Sequence, residues 1–368
     1  MEAIAIYIAG QALAIGLTTS AAVATAIGYT VAFIAVVGGS MAASKLLAPK
    51  MPSFSDSSMT DRSQMVRSPI SARTIVYGRC RVSGTIVYLS TTGDKNQFLH
   101  IVVTLAGHEI EAIDEIYFND ELVPLVSNVP QGFYNGVARV NKHLGDANQT
   151  VDTDLRDDTS TLTDGKWTDN HRLRGIAFIY VRLTWDVEKF PSGIPNISAV
   201  IRGKKVLDPR TGNTAYSANS ALCLRDYLTD TTLGMGMTSA EVDDTAFGVA
   251  ATICEEQVRV LPLSPVVTEN RYEANGVIVT SASPDENIGK LLSSMGGLVA
   301  YTGGRIVPYA SAYRIPTVTL TEKHFVGPIN VQTKTSARDR VNSVKGVYIS
   351  ETNNLRMKSW DGRPRSSR

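Results

Sequence analysis

From Ala3 to Ser44 the chain carries no charged side chain, a run of 42 residues dominated by Ala, Ile, Val, Gly and Thr. As a helix rising about 1.5 Å per residue, such a run reaches roughly 60 Å, twice the hydrocarbon thickness of a bilayer. Apolar surface of that extent requires a cover. The acidic start Met1-Glu2 speaks against a secretory signal peptide, which opens with basic residues before one short apolar region. Two readings stay open. Ile4 to Leu17 and Ala21 to Val37 are separated by Thr18-Thr19-Ser20 and followed by Lys45 and Lys50, which suits a membrane hairpin, although each stretch is short for a span. Alternatively, Ala9, Gly10, Ala12, Ala14 and Gly16 allow helices from several copies to approach closely inside a larger assembly. In both readings the contacting residues are Ile4, Ile6, Leu13, Ile15, Leu17, Val31, Phe33, Ile34 and Val36.

The rest of the chain has the composition of a soluble protein. At 368 residues it is long enough for two or three domains. Its 36 basic and 35 acidic residues leave a net charge of +1, too weak a field to single out nucleic acid as the main partner. Cys80, Cys223 and Cys254 are odd in number and far apart, which argues against a disulfide framework or a zinc cluster and for packed, reduced thiols.

The pattern divides the chain into an uncharged helical segment (1–48), a Ser-, Met-, Pro- and Asp-rich linker (49–67) and a folded body. In the body, Thr74 to Tyr77, Gly84 to Leu89, Phe98 to Leu105 and Glu111 to Phe118 read as strands. Gly78, Gly93 to Asn96, Gly107 and Asn119-Asp120 supply turns, and the expected arrangement is an antiparallel meander. A polar insertion at about 123–173 is expected to lie loosely over the strands, which resume at Gly175 to Trp185 and Asn196 to Leu207 around a stiff Phe190 to Pro195 corner. This closes a first β-barrel or sandwich domain (68–215).

Helical spacing takes over in an α+β domain (216–316). Ala221 to Leu228 suits a helix stopped near Gly234. Thr238-Ser239-Ala240-Glu241 and Ser283-Pro284-Asp285-Glu286 both have the form of a capping box, the first predicting a helix toward Val258 and the second a helix ending at Gly296-Gly297. Thr302-Gly303-Gly304 marks a hairpin. A further β segment is expected at 317–352, and 353–368 reads as a basic, fraying tail or an altered end. The fold class is α+β, mainly β.

Chemistry-bearing patterns are sparse. His100 and His108, with Glu109 and Glu111, come nearest to a metal set but lack the spacing of a His-Glu-x-x-His or Cys-x-x-Cys site, and read as surface histidines. Asp157-Asp158, Asp243-Asp244 and Glu255-Glu256 are adjacent pairs, whereas a glycosidase needs carboxyls set several Å apart across a sugar; they read as a solvated loop, a helix N-terminus and an exposed helix face. Gly234-Met235-Gly236-Met237 has neither phosphate-loop spacing, and no Gly-x-Ser-x-Gly elbow occurs. Tyr180, Trp185, Phe190, Tyr301, Tyr309 and Tyr313 lie near Arg182, Arg305 and Arg314; they suit a stacking channel for nucleic acid less well than a packed wall. No catalytic residue, metal ligand or cofactor is expected, and enzymatic activity is not expected.

Several stretches are nevertheless specific in order. Tyr77 to Tyr88, Gly93-Asp94-Lys95, Phe98-Leu99-His100, Leu105 to Ile110 and Ile116 to Glu121 come first. Arg174-Gly175, Val181-Arg182-Leu183, Pro191 to Pro195, Asp208 to Gly212, Asn219 to Leu228, Leu233 to Gly236 and Arg338 to Asn342 follow. In this order they resemble the N-terminal part of phage tail-tip proteins of the tip attachment protein J type, over most of Tyr77 to Ser350. The resemblance implies a homotrimeric central hub at the tip of a long, non-contractile tail, with tail-tube-like β-barrel domains that imitate a sixfold tube. It also implies contacts with distal tail and tail-tube proteins and the tape-measure protein, a role in host attachment and genome ejection, assembly in the host cytoplasm, and DNA as passing cargo only. The uncharged run then lies along the trimer axis as a plug, or enters the host membrane transiently. The family continues far beyond the position of Ser350, so receptor recognition is not expected here, and a split or truncated hub is. The alternative class is a membrane-anchored enzyme acting on cell wall or sugars. Deleting residues 1 to 50 is expected to weaken trimerisation, tail assembly or infectivity; unchanged behaviour in all three assays would remove the axial and membrane roles together.

Overall fold

The most apolar strands take central places and push their sequence neighbours apart. The computed structural model describes residue 65 and residues 71–260, 267–316, 318–324, 326–327, 345–350 and 356–361. The chain divides into two units, Met1–Ser55 and Asp56–Arg368, and every described residue belongs to the second. The candidate residues Ile4 to Val36 lie outside the described residues. In chain order the strands begin with β1 (Thr74–Tyr77), β2 (Arg79–Val82), β3 (Thr85–Thr92), β4 (Phe98–Ala106), β5 (Ala112–Phe118) and β6 (Glu121–Leu122). Then come β7 (Leu125–Val126), β8 (Val129–Pro130), β9 (Ala138–His143), helix α1 (Thr153–Asp158), β10 (Ala177–Thr184) and β11 (Ile197–Arg202).

These strands form two four-stranded antiparallel sheets, ordered β3-β4-β10-β9 and β2-β11-β5-β6. Of the barrel and the sandwich, the described strands make the sandwich: Ile101, Val103, Ile179 and Val181 of one sheet share a core with Ile113, Ile116, Ala199 and Ile201 of the other. A meander is therefore not what forms. Only β3–β4, β5–β6 and β7–β8 are local pairs within this part, because β10 and β11 are buried almost throughout and take interior positions with partners on both sides.

The insertion is docked, contrary to expectation. Asp152 accepts a hydrogen bond from the Leu155 amide and caps α1, and Leu155 and Trp167 pack on Val102, Phe178 and Tyr180 of the sheet's second face. Polar residues that look solvated in sequence serve there as caps and bridges.

The chain continues through β12 (Lys205–Asp208), β13 (Asn213–Tyr216), α2 (Ser220–Thr229), α3 (Asp244–Cys254), β14 (Gln257–Val260), β15 (Val267–Asn270), β16 (Gly276–Val279), α4 (Pro284–Ser293), β17 (Leu298–Thr302) and β18 (Arg305–Tyr309), of which all but β13, β14 and β15 contribute to a second core. Leu222, Leu224, Tyr227, Phe247, Ala250, Leu291 and Met295 are among its buried apolar residues from the helical part. The Ser283 hydroxyl caps α4 at the Glu286 amide as its box predicts, and Gly303 and Gly304, at φ 60° and 81°, make the two-residue turn of β17–β18. The other box does not open a helix. The Glu241 carboxylate closes back on the Thr238 amide and hydroxyl, but Glu241 to Asp243 pair with Ile306, so the chain there is extended and Asp243 caps α3 instead. The basic tail expected at 353–368 also contributes a strand: β19 (Lys345–Ser350) pairs antiparallel with β20 (Arg356–Asp361). Among the described residues no helix is long and apolar enough to cross a membrane.

The two caps give a direct comparison. Asp243→Ala, which removes the 2.9 Å bond to the Ala246 amide, is expected to cost about 1 kcal/mol in urea unfolding. Glu241→Ala, which alters an exposed turn, is expected to stay within about 0.5 kcal/mol.

Candidate assembly interface

The charged side chains of the body are largely spent on holding it together. Lys204, on the link between β11 and β12, places its ammonium 2.6 Å from Asp226 and 2.5 Å from Asp230 on and just beyond α2, and the Tyr77 hydroxyl donates to the same Asp226 oxygen at 2.6 Å. Burial raises the Asp226 carboxyl, and its bonds to Lys204 and Tyr77 offset only part of that. Asp230 is held below the usual range: burial opposes this, but Lys204 and the Thr232 and Leu233 amides together outweigh it. Burial also works to lower the Lys204 ammonium, and the two carboxylates override it and hold its pKa up.

A second network crosses the sheet face beneath the insertion. Thr92 Oγ1 meets His100 Nε2 at 2.7 Å, His100 Nδ1 meets the Tyr180 hydroxyl at 2.8 Å, and that hydroxyl donates to Asp158 at 3.1 Å. Arg139 and Arg182 pair with the same Asp158. His100 is fully buried and His108 nearly so, which corrects their reading as surface histidines; burial lowers both rings to about 4. His108 hydrogen-bonds the Val76 amide, in a different part of the core from His100. Among the described residues no group of three or more His, Cys, Asp or Glu could hold a metal ion. Cys80, Cys223 and Cys254 are all buried, the packed positions that their spacing suggested.

The acidic pairs also resolve into structure. Asp243 and Asp244 stand at the start of α3, where Asp244 pairs with Arg225 of α2. Glu255 is bridged by Arg210, with two bonds of 2.7 Å, and by Asn219 at 3.0 Å. A half-open cleft of about 340 Å³ lies there, lined by Arg79, Tyr216, Asn219, Glu255, Tyr272 and Glu273 among others. Its second carboxylate, Glu273, accepts from Asn270 and Asn275, so both acids are held as acceptors. Gly234 to Met237 closes α2: the Met235 and Met237 amides donate to the Tyr227 and Leu228 carbonyls, and a Cβ at Gly234 would lie 2.1 Å from the Tyr227 oxygen. The six aromatics do not share one surface environment. Tyr180 and Phe190 are buried, Tyr309 lies under Arg314, and Trp185, Tyr301 and Tyr313 are 70%, 74% and 88% exposed.

What the body leaves unused is an edge. β3 pairs with β4 on one side, and among the described residues no backbone hydrogen bond reaches its other side. Its eight residues, TIVYLSTT, include no charge and no proline, the usual guards of an edge strand; a bulge at Val87, half exposed, is the sole guard present. At the hairpin end of the same sheet the Trp185 amide donates to the Gln97 carbonyl, leaving the indole in solvent, and the exposed Val187 follows. Trp185 is among the six aromatics the sequence singles out, whereas the edge is not, although an eight-residue uncharged strand is a readable signal.

No protein-family model matches the chain, and no curated protein matches it. Among solved structures it is similar to a chain from the virion of a native gene transfer agent particle, with 14% identity and a TM-score of 0.48, over 82% of this chain and 67% of that one. No family is shown by a likeness of that size.

The Lys204 cluster yields a clear expectation. Lys204→Met leaves two partly buried carboxylates without their cation and is expected to cost about 3–5 kcal/mol at pH 7. Losing the cation raises both carboxyl pKa values, so the penalty should shrink between pH 7 and pH 5 as they protonate; urea unfolding at the two values measures it.

Proposed function

We propose that the chain is a structural protein of a long-tailed phage virion, the trimeric central hub at the tail tip that closes the tail tube and takes part in host attachment and DNA ejection. The order of motifs from Tyr77 to Ser350, similar to tail-tip proteins of the J type, supports this reading. The observation that carries it in the folded body is the uncharged outer edge of β3, which among the described residues no backbone hydrogen bond reaches, an edge that suits pairing with another chain. The mainly β architecture, two sheets with an α+β part, agrees with tube-like hub domains. In this reading the tape-measure, distal tail and tail-tube proteins are its neighbours. Residues Ile4 to Val36 then line the trimer axis or contact the host membrane transiently, and DNA passes as cargo.

Light scattering on the purified full-length protein is expected to give three copies. Val87→Lys places a charge on the free edge at a half-exposed position, so it should reduce the trimer at least tenfold in association constant while leaving the unfolding midpoint unchanged. A monomer at micromolar concentration, indifferent to this substitution, would favour the membrane-anchored enzyme class instead.

A further inference from the structure

β1 gives one edge to β16 and closes its other edge in an unusual way. The Thr74 carbonyl accepts from the Gly107 amide, the Val76 carbonyl from Lys204 and the Gly78 carbonyl from Gly203, each at 2.8 Å. The Val76 amide, in contrast, donates to a side chain, Nε2 of His108, at 2.9 Å. Nδ1 of the same ring lies 2.7 Å from the Glu109 carbonyl oxygen, so Nδ1 carries the ring proton and Nε2 presents a lone pair. A second proton on Nε2 would point one N–H at another, and neither backbone amide nor ring has an acceptor to exchange.

We propose that His108 is an acid-sensitive latch between the two cores, whose protonation frees β1 from the turn at Gly107–Glu109 and loosens one core from the other. The strand it holds is shared: Val76 belongs to the sandwich core, while Ile75 and Tyr77 belong to the helical one. The charged groups facing the ring are Lys204 from the β11–β12 link, Asp230 from beyond α2 and Glu109 from its own turn. Asp226 and the Tyr77 hydroxyl join them through Lys204 and Asp226. Lys204 opposes a charged ring and the acids favour one, but burial outweighs them and lowers the ring to about 4 from 6.5. The folded-state pKa is depressed, so the latch contributes fully above pH 6.5, weakens as the pH falls toward 4, and loses nothing more below that. His100 has the same low value but a different partner. Its Nε2 meets the Thr92 hydroxyl, which can turn to accept, so a second proton there breaks no bond.

Hydrogen exchange of the full-length protein, corrected for the intrinsic pH dependence, tests this. Protection of β1 is expected to fall at least tenfold between pH 6.5 and 4.5 and by clearly more than that of β10, whose neighbour His100 also charges at a cost. His108→Gln offers an acceptor and a donor without titrating and should abolish the fall; His100→Gln should keep it. Parallel loss in β1 and β10, or an unchanged fall in His108→Gln, would overturn the proposal. If the glutamine variant does not fold, the ring of His108 is followed by NMR in the native protein: a ring still neutral at pH 5.5 and coupled to β1 exchange below that supports the latch, and a ring titrating near 6.5 with β1 still protected rejects it.

Discussion

A strand of four residues holds the body together because its two faces belong to different cores. In β1 the period of two sends Ile75 and Tyr77 one way and Val76 the other; in its partner β16, Ile278 joins the first set and Val277 the second. A slip of one residue would put every one of these side chains in the wrong core, so burial on both faces specifies the register. The pairing joins residues about two hundred positions apart, which sets a high loop-closure cost on folding. It also explains the glycines at the seam. A Cβ at Gly203 would sit 2.1 Å from the Val76 oxygen, and one at Gly78, at φ 63°, would sit 2.4 Å from the Ala274 oxygen. Backbones approach there as closely as they do because those two positions carry no side chain.

Charge balance acquires a structural meaning from the same seam. The near-equal numbers of acids and bases do not disperse evenly into solvent; they connect elements that are distant in sequence. Lys204 joins the sandwich to α2, Arg225 joins α2 to α3, Arg210 joins the β12–β13 hairpin to the end of α3, and Asp158 gathers two arginines and Tyr180 beneath the insertion. Each is partly shielded, where removing one member costs more than forming the pair gains. Paired acids of this kind imitate catalytic carboxylates in a sequence and are consumed as bridges in the fold.

Local signals were legible and partner choice was not. Alternation found β1, β4 and β10, the Ser283 box found α4, and two glycines found the β17–β18 turn, because each depends on a few adjacent residues. The sheet order depends on which strands are buried on both faces, a property of β10 and β11 that their spacing does not express. The start of α3 was misplaced for a similar reason: the box at Thr238 is a sound local pattern, overridden by a bridge between Val242 and Ile306, sixty-four residues away. His100 and His108 look solvated because a single polar residue in a strand or turn carries no mark of the hydroxyl or amide that will satisfy it. The uncharged segment from Ile4 to Val36, the loudest sequence signal, lies outside the described residues.

The four outer edges of the sandwich are treated unequally, and that inequality is itself informative. β9 is shielded by the β7–β8 ribbon, whose Asn128 carbonyl takes the Val140 amide, and its Lys142 reaches across to the Ile113 carbonyl of the other sheet. β6 is two residues long, and β2 is four residues long with the Arg79 amide bound to the Asn275 side chain. Short strands, charge and covering loops are the ordinary means of preventing edge pairing, and three edges have them. β3 is as long as β10, uncharged and uncovered among the described residues. A monomer with such an edge would be prone to uncontrolled pairing, whereas an assembly with closed symmetry covers it once in every copy. Among the described residues β3 thus has only its bulge at Val87 as a guard, and it is the edge at which the proposed assembly would add a neighbour.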